Sequence, residues 1–411
     1  MKDLLMIAYY YPPLGGVGVL RPLGFSKYLP EFGWNTTVLS VGNDYSYTRD
    51  ESLIQSIPKQ QKIARPYRIP LYQAIRRFAR GPLRKYPLAY TFMDPQFDWV
   101  NSAIKIGTKL SKKCRIDAIF ATAPPYSSIR VATTLKKKLG LPTIADFRDP
   151  FTTNFTINWP SKLHKKFYQL YERRLLTSVD HLIAVNNIIR AEWLNSIGKP
   201  LPPVDVITNG YDPAYFDKPA QQPSPDRFLM SYVGSIYGDL TALPFFKSLS
   251  LAIKQRPEMK DNLEVCFMGH MNQVSLLHDS KRYHVDQIVK FLGHRQHQEA
   301  ISLMQRSHLL LDFRSIIAPA AIPSKIFEYG ASNRPVLSFS RPGILADFIN
   351  QNGYGYTVDW SQPKEGCKKI IELYDMWSNN EPIPGPPKSI VEKYSRRNLA
   401  KRLASILSDY V

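Results

Sequence analysis

Short apolar runs that recur along the chain, with helix-like stretches between them, constrain this sequence more than any other feature. In the first half, Leu4–Tyr9, Thr36–Val41, Ile116–Thr122, Thr143–Phe147, His181–Val185 and Val204–Thr208 read as strands. Leu4–Tyr9 is the kind of continuous run that a parallel strand buried on both faces requires. Leu20–Leu29, Phe97–Lys113, Leu163–Leu176 and Asn187–Ser196 read as helices, and another, capped by Ser127 or Ser128, runs to Leu139. Alternation of this kind predicts an α/β chain with doubly wound parallel sheets. Their ligands bind beyond the carboxyl ends of the strands.

The pattern breaks at Asp212–Arg227, a proline-rich stretch without periodicity that reads as a linker. It then resumes, with strands at Leu229–Val233, Leu263–Met268, Ile288–Leu292, Leu309–Phe313, Val336–Phe339 and Gly355–Val358. A second proline cluster, Glu381–Lys388, precedes an amphipathic helix at Ile390–Leu407. The predicted organisation is an N-terminal Rossmann-like domain over 1–211, a linker over 212–227, a second such domain over 228–389, and a closing segment over 390–411.

Composition narrows the class. With 411 residues, 44% hydrophobic and 21% charged, the chain is neither disordered nor collagen-like. Three scattered cysteines (Cys114, Cys266, Cys367) make neither a disulfide framework nor a zinc site, which suits a reducing cytoplasm. No run of apolar residues is long enough to span a membrane. Lys2 and Asp3 at the start, with Pro12 and Pro13 soon after, argue against a signal peptide. The formal charge is +20, from 54 Lys and Arg against 34 Asp and Glu. Between Lys59 and Lys85 lie nine basic residues and no acid, including Arg76, Arg77, Arg80, Arg84 and Lys85. Such a surface seeks polyanions: nucleic acid, anionic lipid or phosphate-bearing substrates.

Four stretches are candidates for chemistry. Tyr9–Arg21 carries Gly15, Gly16 and Gly18 after the first strand, where backbone can approach a phosphate at a helix N-terminus. The spacing is not the dinucleotide fingerprint, and a plain strand-to-helix turn explains it equally well. Ala145–Phe151 sets Asp146, Arg148 and Asp149 at and beyond a strand end, as a site or as an ion pair capping the next helix. Thr208–Asp212 holds Asn209-Gly210, itself a turn signal. In Ile322–Val336, Ser324 caps a helix with Lys325 in its first turn, where a lysine opposes the helix dipole unless an anion sits there. Lys325 and Glu328, three apart, share a face that suits a diphosphate and ribose hydroxyls, or a simple surface ion pair. His294 and His297 lie close together without a third ligand, so they more readily line a loop than hold a metal.

In this order the motifs resemble the GT-B glycosyltransferases, specifically glycosyltransferase family 4. The matching pieces are Tyr-Pro-Pro-Leu-Gly-Gly at 11–16, Arg-Asp-Pro at 148–150, Asn-Gly-Tyr-Asp at 209–212, Gly234-Ser235, Pro-Ser-Lys-Ile-Phe-Glu-Tyr at 323–329 and Arg-Pro-Val at 334–336. The resemblance implies two facing Rossmann-like domains with a last helix crossing back to the first. It implies a nucleotide-sugar donor in the C-terminal domain, an acceptor in the N-terminal one, and metal-independent transfer with retention and no cofactor. Carried over, Glu328 holds the donor ribose, and Lys325 with the amides of Ser324 and Gly16 stabilises the departing diphosphate. Gly15, Gly234 and Ser235 line the donor site, Arg148 and Asp149 lie near the transferred sugar and acceptor, and His294–Arg295 cradles the base. The family often has a glutamate where Ala320 stands here, and cations after the Gly234 strand where Ser235–Asp239 has none. Lys325, or Arg314 at a strand end, then supplies the positive charge.

The leading expectation is a peripheral enzyme on the cytoplasmic face of the membrane. It transfers a hexosyl or N-acetylhexosaminyl group, from a UDP-sugar in preference to a GDP-sugar, onto a polyprenyl-diphosphate-linked acceptor in surface polysaccharide biosynthesis. The basic segment, with Leu71, Ile75 and Phe78 at helical spacing, is the expected contact with anionic lipid. A sugar-nucleotide epimerase and a non-catalytic binding subunit are the other readings. No nucleic-acid recognition motif accompanies the basic run.

Overall fold

The computed structural model describes residues 1–44, 48–68, 94, 96–154, 159, 161–196, 200–217, 221–236, 240–314 and 322–411. These divide into two compact units: Met1–Thr208 with Arg396–Val411, and Asn209–Ser395. The chain passes from one unit to the next just ahead of the proline-rich stretch, so Asn209–Asp217 clusters with the second unit.

The first unit runs β1 (Lys2–Ile7), α1 (Val17–Tyr28), β2 (Trp34–Leu39), β3 (Lys62–Ala64), α2 (Val100–Ser111), β4 (Ala118–Ala123), α3 (Ser127–Leu139), β5 (Thr143–Phe147), α4 (Lys162–Leu176), β6 (His181–Ala184), α5 (Asn187–Ser196) and β7 (Val204–Val206). Its seven strands lie in the order β3-β2-β1-β4-β5-β6-β7, all parallel. Side chains alternate across the sheet: Leu5 and Ile7 of β1 enter one core and Leu4 and Met6 the other. Burial on both faces is why these strands read as unbroken apolar runs. β3 escapes such a reading because it is three residues long and starts on an exposed lysine.

Two predicted caps are corrected. Ser127 and Ser128 lie inside α3 rather than before it, and the Ser127 amide donates to the carboxylate of Asp94. Ser324 is likewise the first helical residue after Pro323, without a capping side-chain bond.

Buried charge organises the carboxyl ends of the first sheet. Arg21 of α1 forms a two-pronged pair with Asp146 of β5, at 2.9 and 2.7 Å, and donates to the carbonyls of Thr208 (2.5 Å) and Ile207 (2.9 Å). Thr122 donates to the same carboxylate at 2.7 Å. Arg68, counted above among the basic run, is not a surface cation. It is buried between Asp98 (2.6 Å) and Asp44 (3.3 Å), and Tyr9 donates to Asp44 at 2.7 Å.

The second unit runs β8 (Phe228–Val233), α6 (Leu243–Gln255), α7 (Met259–Asn262), β9 (Leu263–Met268), α8 (Gln273–Arg282), β10 (Val289–Gly293), α9 (His297–Arg306), β11 (Leu309–Phe313), α10 (Ser324–Ala331), β12 (Val336–Phe339), α11 (Ile344–Gln351), β13 (Gly355–Val358), α12 (Pro363–Ser378) and α13 (Lys388–Glu392). Its six parallel strands lie in the order β10-β9-β8-β11-β12-β13. The single helix predicted over 390–407 is two: α13, and α14 (Arg396–Ser408), which belongs to the first unit. There Leu399, Leu403 and Leu407 share a core with Leu23 and Phe25 of α1.

Candidate functional site

In each sheet the strand order reverses once, between β1 and β4 and between β8 and β11, and the crevice beyond such a reversal is where open α/β sheets bind ligands. In the second unit three charged side chains meet there. Lys325, in the first turn of α10, places Nζ 2.9 Å from Oδ1 of Asp312 on β11. Nε of Arg314 lies 3.4 Å from Oδ2 of the same carboxylate, and Ser338 of β12 donates to it at 3.0 Å. The lysine ammonium also sits 4.0 Å from the ring centre of Tyr232 at the end of β8.

Burial alone would raise the Asp312 carboxyl, yet Lys325 and Arg314 hold it below its usual range. Burial would likewise lower Lys325, but Asp312 and the rings of Tyr232 and Tyr329 push its ammonium above the ordinary lysine value. Both groups are therefore charged at neutral pH. Two cations thus converge on one buried carboxylate. The lysine that opposes the helix dipole has its counter-charge within the protein.

One turn on, Glu328 is nearly buried, and its Oε1 lies 3.2 Å from Nε2 of His297 at the start of α9. The His297 ring meets Tyr215 edge-on at 4.6 Å. Tyr215 ends a short turn opened by Asp212, whose carboxylate accepts from the Ala214 amide at 3.1 Å. The Asn209–Asp212 motif is thereby connected to Glu328 through one histidine.

The surrounding loops approach closely. A Cβ on Gly269, at φ +139°, would fall 2.0 Å from the Gly234 carbonyl oxygen, so the ends of β8 and β9 meet backbone to backbone. The Gly234 amide donates to Met268 O at 2.9 Å. The Ser235 carbonyl accepts from the Tyr232 hydroxyl at 2.9 Å. His294 and Arg295 are exposed just past β10. The His294 ring stacks on His270 at 4.1 Å, and Arg295 lines a cleft of about 560 Å³ with Met268, Leu292, Glu299 and Arg306.

The first unit presents a different picture at its strand ends. Gly15 is buried and its amide donates to Thr48 O at 2.8 Å, whereas Gly16 is exposed at the start of α1. Arg148, expected beside the transferred sugar, gives its guanidinium to backbone: Nε to Ala123 O at 3.2 Å, and the two terminal nitrogens to the carbonyls of Gly18 and Pro124. It braces the glycine turn against the turn after β4. Asp149 stands exposed beyond it, and the protein packed around its carboxyl raises it above the usual range, partly offset by Arg148. Glu172 of α4 accepts from the amides of Phe151 (3.3 Å) and Thr152 (3.2 Å) and so holds the loop after Asp149.

Arg76, Arg77, Arg80, Arg84 and Lys85, the helix predicted around Leu71–Phe78, and Ala320 lie outside the described residues. Sequence reasoning missed Asp312, Tyr232 and Gly269, and it assigned His297 to a loop where the structure puts it at the start of α9 against Glu328. Only Asp312 carried a signal, a lone acid in an otherwise apolar strand.

Known proteins share this fold. Residues 23–215 match the sequence model of the family described as Glycosyltransferase Family 4. No curated protein matches the sequence significantly. Among solved structures, Anabaena HepE in complex with UDP aligns over 100% of both chains, with a TM-score of 0.66 at 15% identity. A glycosyltransferase from Rickettsia africae aligns over 100% of this chain and 98% of its own, with a TM-score of 0.66 at 16% identity. WaaG, a glycosyltransferase involved in lipopolysaccharide biosynthesis, covers 98% of this chain and 99% of its own, with a TM-score of 0.60 at 15% identity. The family match over residues 23–215 and the two parallel Rossmann-like sheets shared over the full length with these structures give the chain a GT-B fold whose first half is similar to glycosyltransferase family 4.

Proposed function

We propose that this protein is a retaining glycosyltransferase that moves a sugar from a nucleotide-sugar donor, UDP-linked in preference to GDP-linked, to a polyprenyl-diphosphate-linked glycan in surface polysaccharide biosynthesis. The observation that carries the proposal is the convergence of the cations Lys325 and Arg314 at the strand reversal of the second sheet, held in place by Asp312. A departing nucleoside diphosphate gains negative charge as the sugar bond breaks, and fixed cations in a water-poor crevice stabilise that gain without reorganising. Lys325 and Arg314 supply the charge, so the reaction requires no metal. Glu328, fixed by His297, accepts from the ribose hydroxyls. His294 and Arg295 flank the base, with Gly234, Ser235 and Ser324 lining the donor. Asp149 faces the acceptor. The HepE complexes with UDP and with UDP-glucose support the donor class, and the involvement of WaaG in lipopolysaccharide biosynthesis supports the surface-glycan role.

A calorimetric screen of UDP-, GDP- and ADP-sugars tests the donor reading, with UDP-sugars expected to bind. Binding by none of them would leave a non-catalytic subunit. Net epimerisation of a UDP-sugar without acceptor would replace transfer with isomerisation.

Glu328→Ala should weaken donor binding about ten- to a hundredfold with the thermal midpoint nearly unchanged. A pair of hydrogen bonds to a charged acceptor contributes roughly 1.5–3 kcal/mol. Equal affinity of variant and parent for UDP would remove Glu328 from the site.

The acceptor reading places the protein on a membrane. Among the described residues no helix is long and apolar enough to cross one. The basic residues Arg76, Arg77, Arg80, Arg84 and Lys85 are the proposed contact, each contributing at most ~1 kcal/mol near an anionic surface. Changing all five to Gln should sharply reduce co-sedimentation with anionic vesicles, as should high salt. Salt-insensitive binding would argue against this contact.

A further inference from the structure

The outer face of α4 carries an apolar stripe that the first core does not use. Leu163, Phe167 and Leu170 follow one another at intervals of four and three residues, so they stand in a row along the helix, and they are 76%, 64% and 56% exposed. The opposite side of the same helix, with Tyr168, Glu172, Leu175 and Leu176, is buried. These three are therefore not stray surface residues but a second, outward apolar face on a helix that already has an inward one.

Charge indicates what covers that face. Lys162, Lys165, Lys166, Arg173 and Arg174 all lie on α4, and Lys166 and Arg174 are exposed beside the stripe. The only acid on the helix, Glu172, is buried and engaged by the Phe151 and Thr152 amides. An apolar row flanked by cations with no exposed acid is complementary to acyl chains beneath anionic headgroups. A protein partner needs no such one-sided charge.

We propose that α4 docks flat on an anionic lipid bilayer, with Leu163, Phe167 and Leu170 entering the headgroup boundary and the lysines and arginines resting on lipid phosphates. The inference deepens the membrane reading given above, but rests on a different, described element. It also has a consequence for the site, because Glu172 ties the docked helix to the loop that follows Asp149, so the surface that meets lipid is joined to the strand end proposed to meet a lipid-linked acceptor.

The test uses the full chain and vesicles of phosphatidylcholine with and without phosphatidylglycerol. Three variants are compared with the parent: Leu163→Gln/Phe167→Gln/Leu170→Gln, Lys162→Gln/Lys165→Gln/Lys166→Gln, and the five-fold change of the 76–85 cations. The changed side chains of the first two are mostly at the surface, so circular dichroism and melting should match the parent. We expect binding that requires phosphatidylglycerol and falls about tenfold or more in each α4 variant. If the parent binds and both α4 variants bind equally well, α4 is not the contact, while the broader membrane reading survives. If the parent does not bind, both fail. A loss of self-association on sizing in the apolar variant, with vesicle binding unchanged, would overturn the proposal in favour of a second copy of the chain on this face.

Discussion

Lys325→Ala should lower turnover by about a hundredfold or more while UDP-sugar affinity changes far less. The ammonium acts on charge that grows as the diphosphate leaves, so its loss is felt mainly in the transition state, and single preorganised donors of this kind typically contribute a factor of 10²–10³, about 3–4 kcal/mol. The substitution also removes one of two cations from a fully buried carboxylate. Arg314 remains 3.4 Å from that carboxylate, so Asp312 is not left alone, and the unit should fold with a reduced melting point. Lys325→Arg separates the two effects. It keeps the charge, so melting should recover, whereas turnover recovers only if a longer, planar cation reaches the same phosphate oxygens. Turnover of Lys325→Ala within about twofold of the parent, at matched folding, would transfer the leaving-group role to Arg314.

Arg21→Met should cost the first unit about 3–5 kcal/mol, the usual loss when one partner of a buried pair is removed and the other stays charged. Asp146 is inaccessible to solvent, and without Arg21 it would keep only the Thr122 hydroxyl among its side-chain partners. Arg21 also serves the carbonyls of Ile207 and Thr208, where the chain leaves the first unit. The double variant Arg21→Met/Asp146→Leu should regain much of the loss, because no buried charge is then stranded. It should not regain all of it, because those carbonyls still lack their donor. Chemical denaturation of the three proteins reads this directly. A single Arg21→Met variant within about 1 kcal/mol of the parent would show that the pair is not a stabilising centre.

Much of the fold was legible because parallel strands covered on both faces leave continuous apolar runs, and because helices at their flanks carry their own spacing. Leu263–Met268, Leu309–Phe313 and Val336–Phe339 match the structure at both ends for that reason. The site was less legible because its electrostatics are non-local. Lys325 was recognisable as an unusual residue at a helix start, but the carboxylate that neutralises it lies on another element, inside a run that reads as core. Arg148 misled for a related reason. Its partners are main-chain carbonyls of two distant turns, which no side-chain pattern announces. The break between α13 and α14 was hidden by an apolar periodicity that continues through residues 393–395.

The buried Arg68–Asp98 pair bears on how this protein can change over generations. It fastens residues 68 and 98 to one another beyond the strand ends of the first sheet. Whatever chain joins them begins and ends at a fixed gate, and closing a longer loop through such a gate adds only about 0.6 kcal/mol for each doubling of length. Insertions, deletions and wholesale replacement between those two points are therefore cheap for the sheet to tolerate. The stretch that carries most of the concentrated positive charge is the one that selection can rewrite with least risk to the rest, so relatives of this protein should diverge there first, in length as well as in sequence, while Tyr9, Asp44, Arg68 and Asp98 stay together.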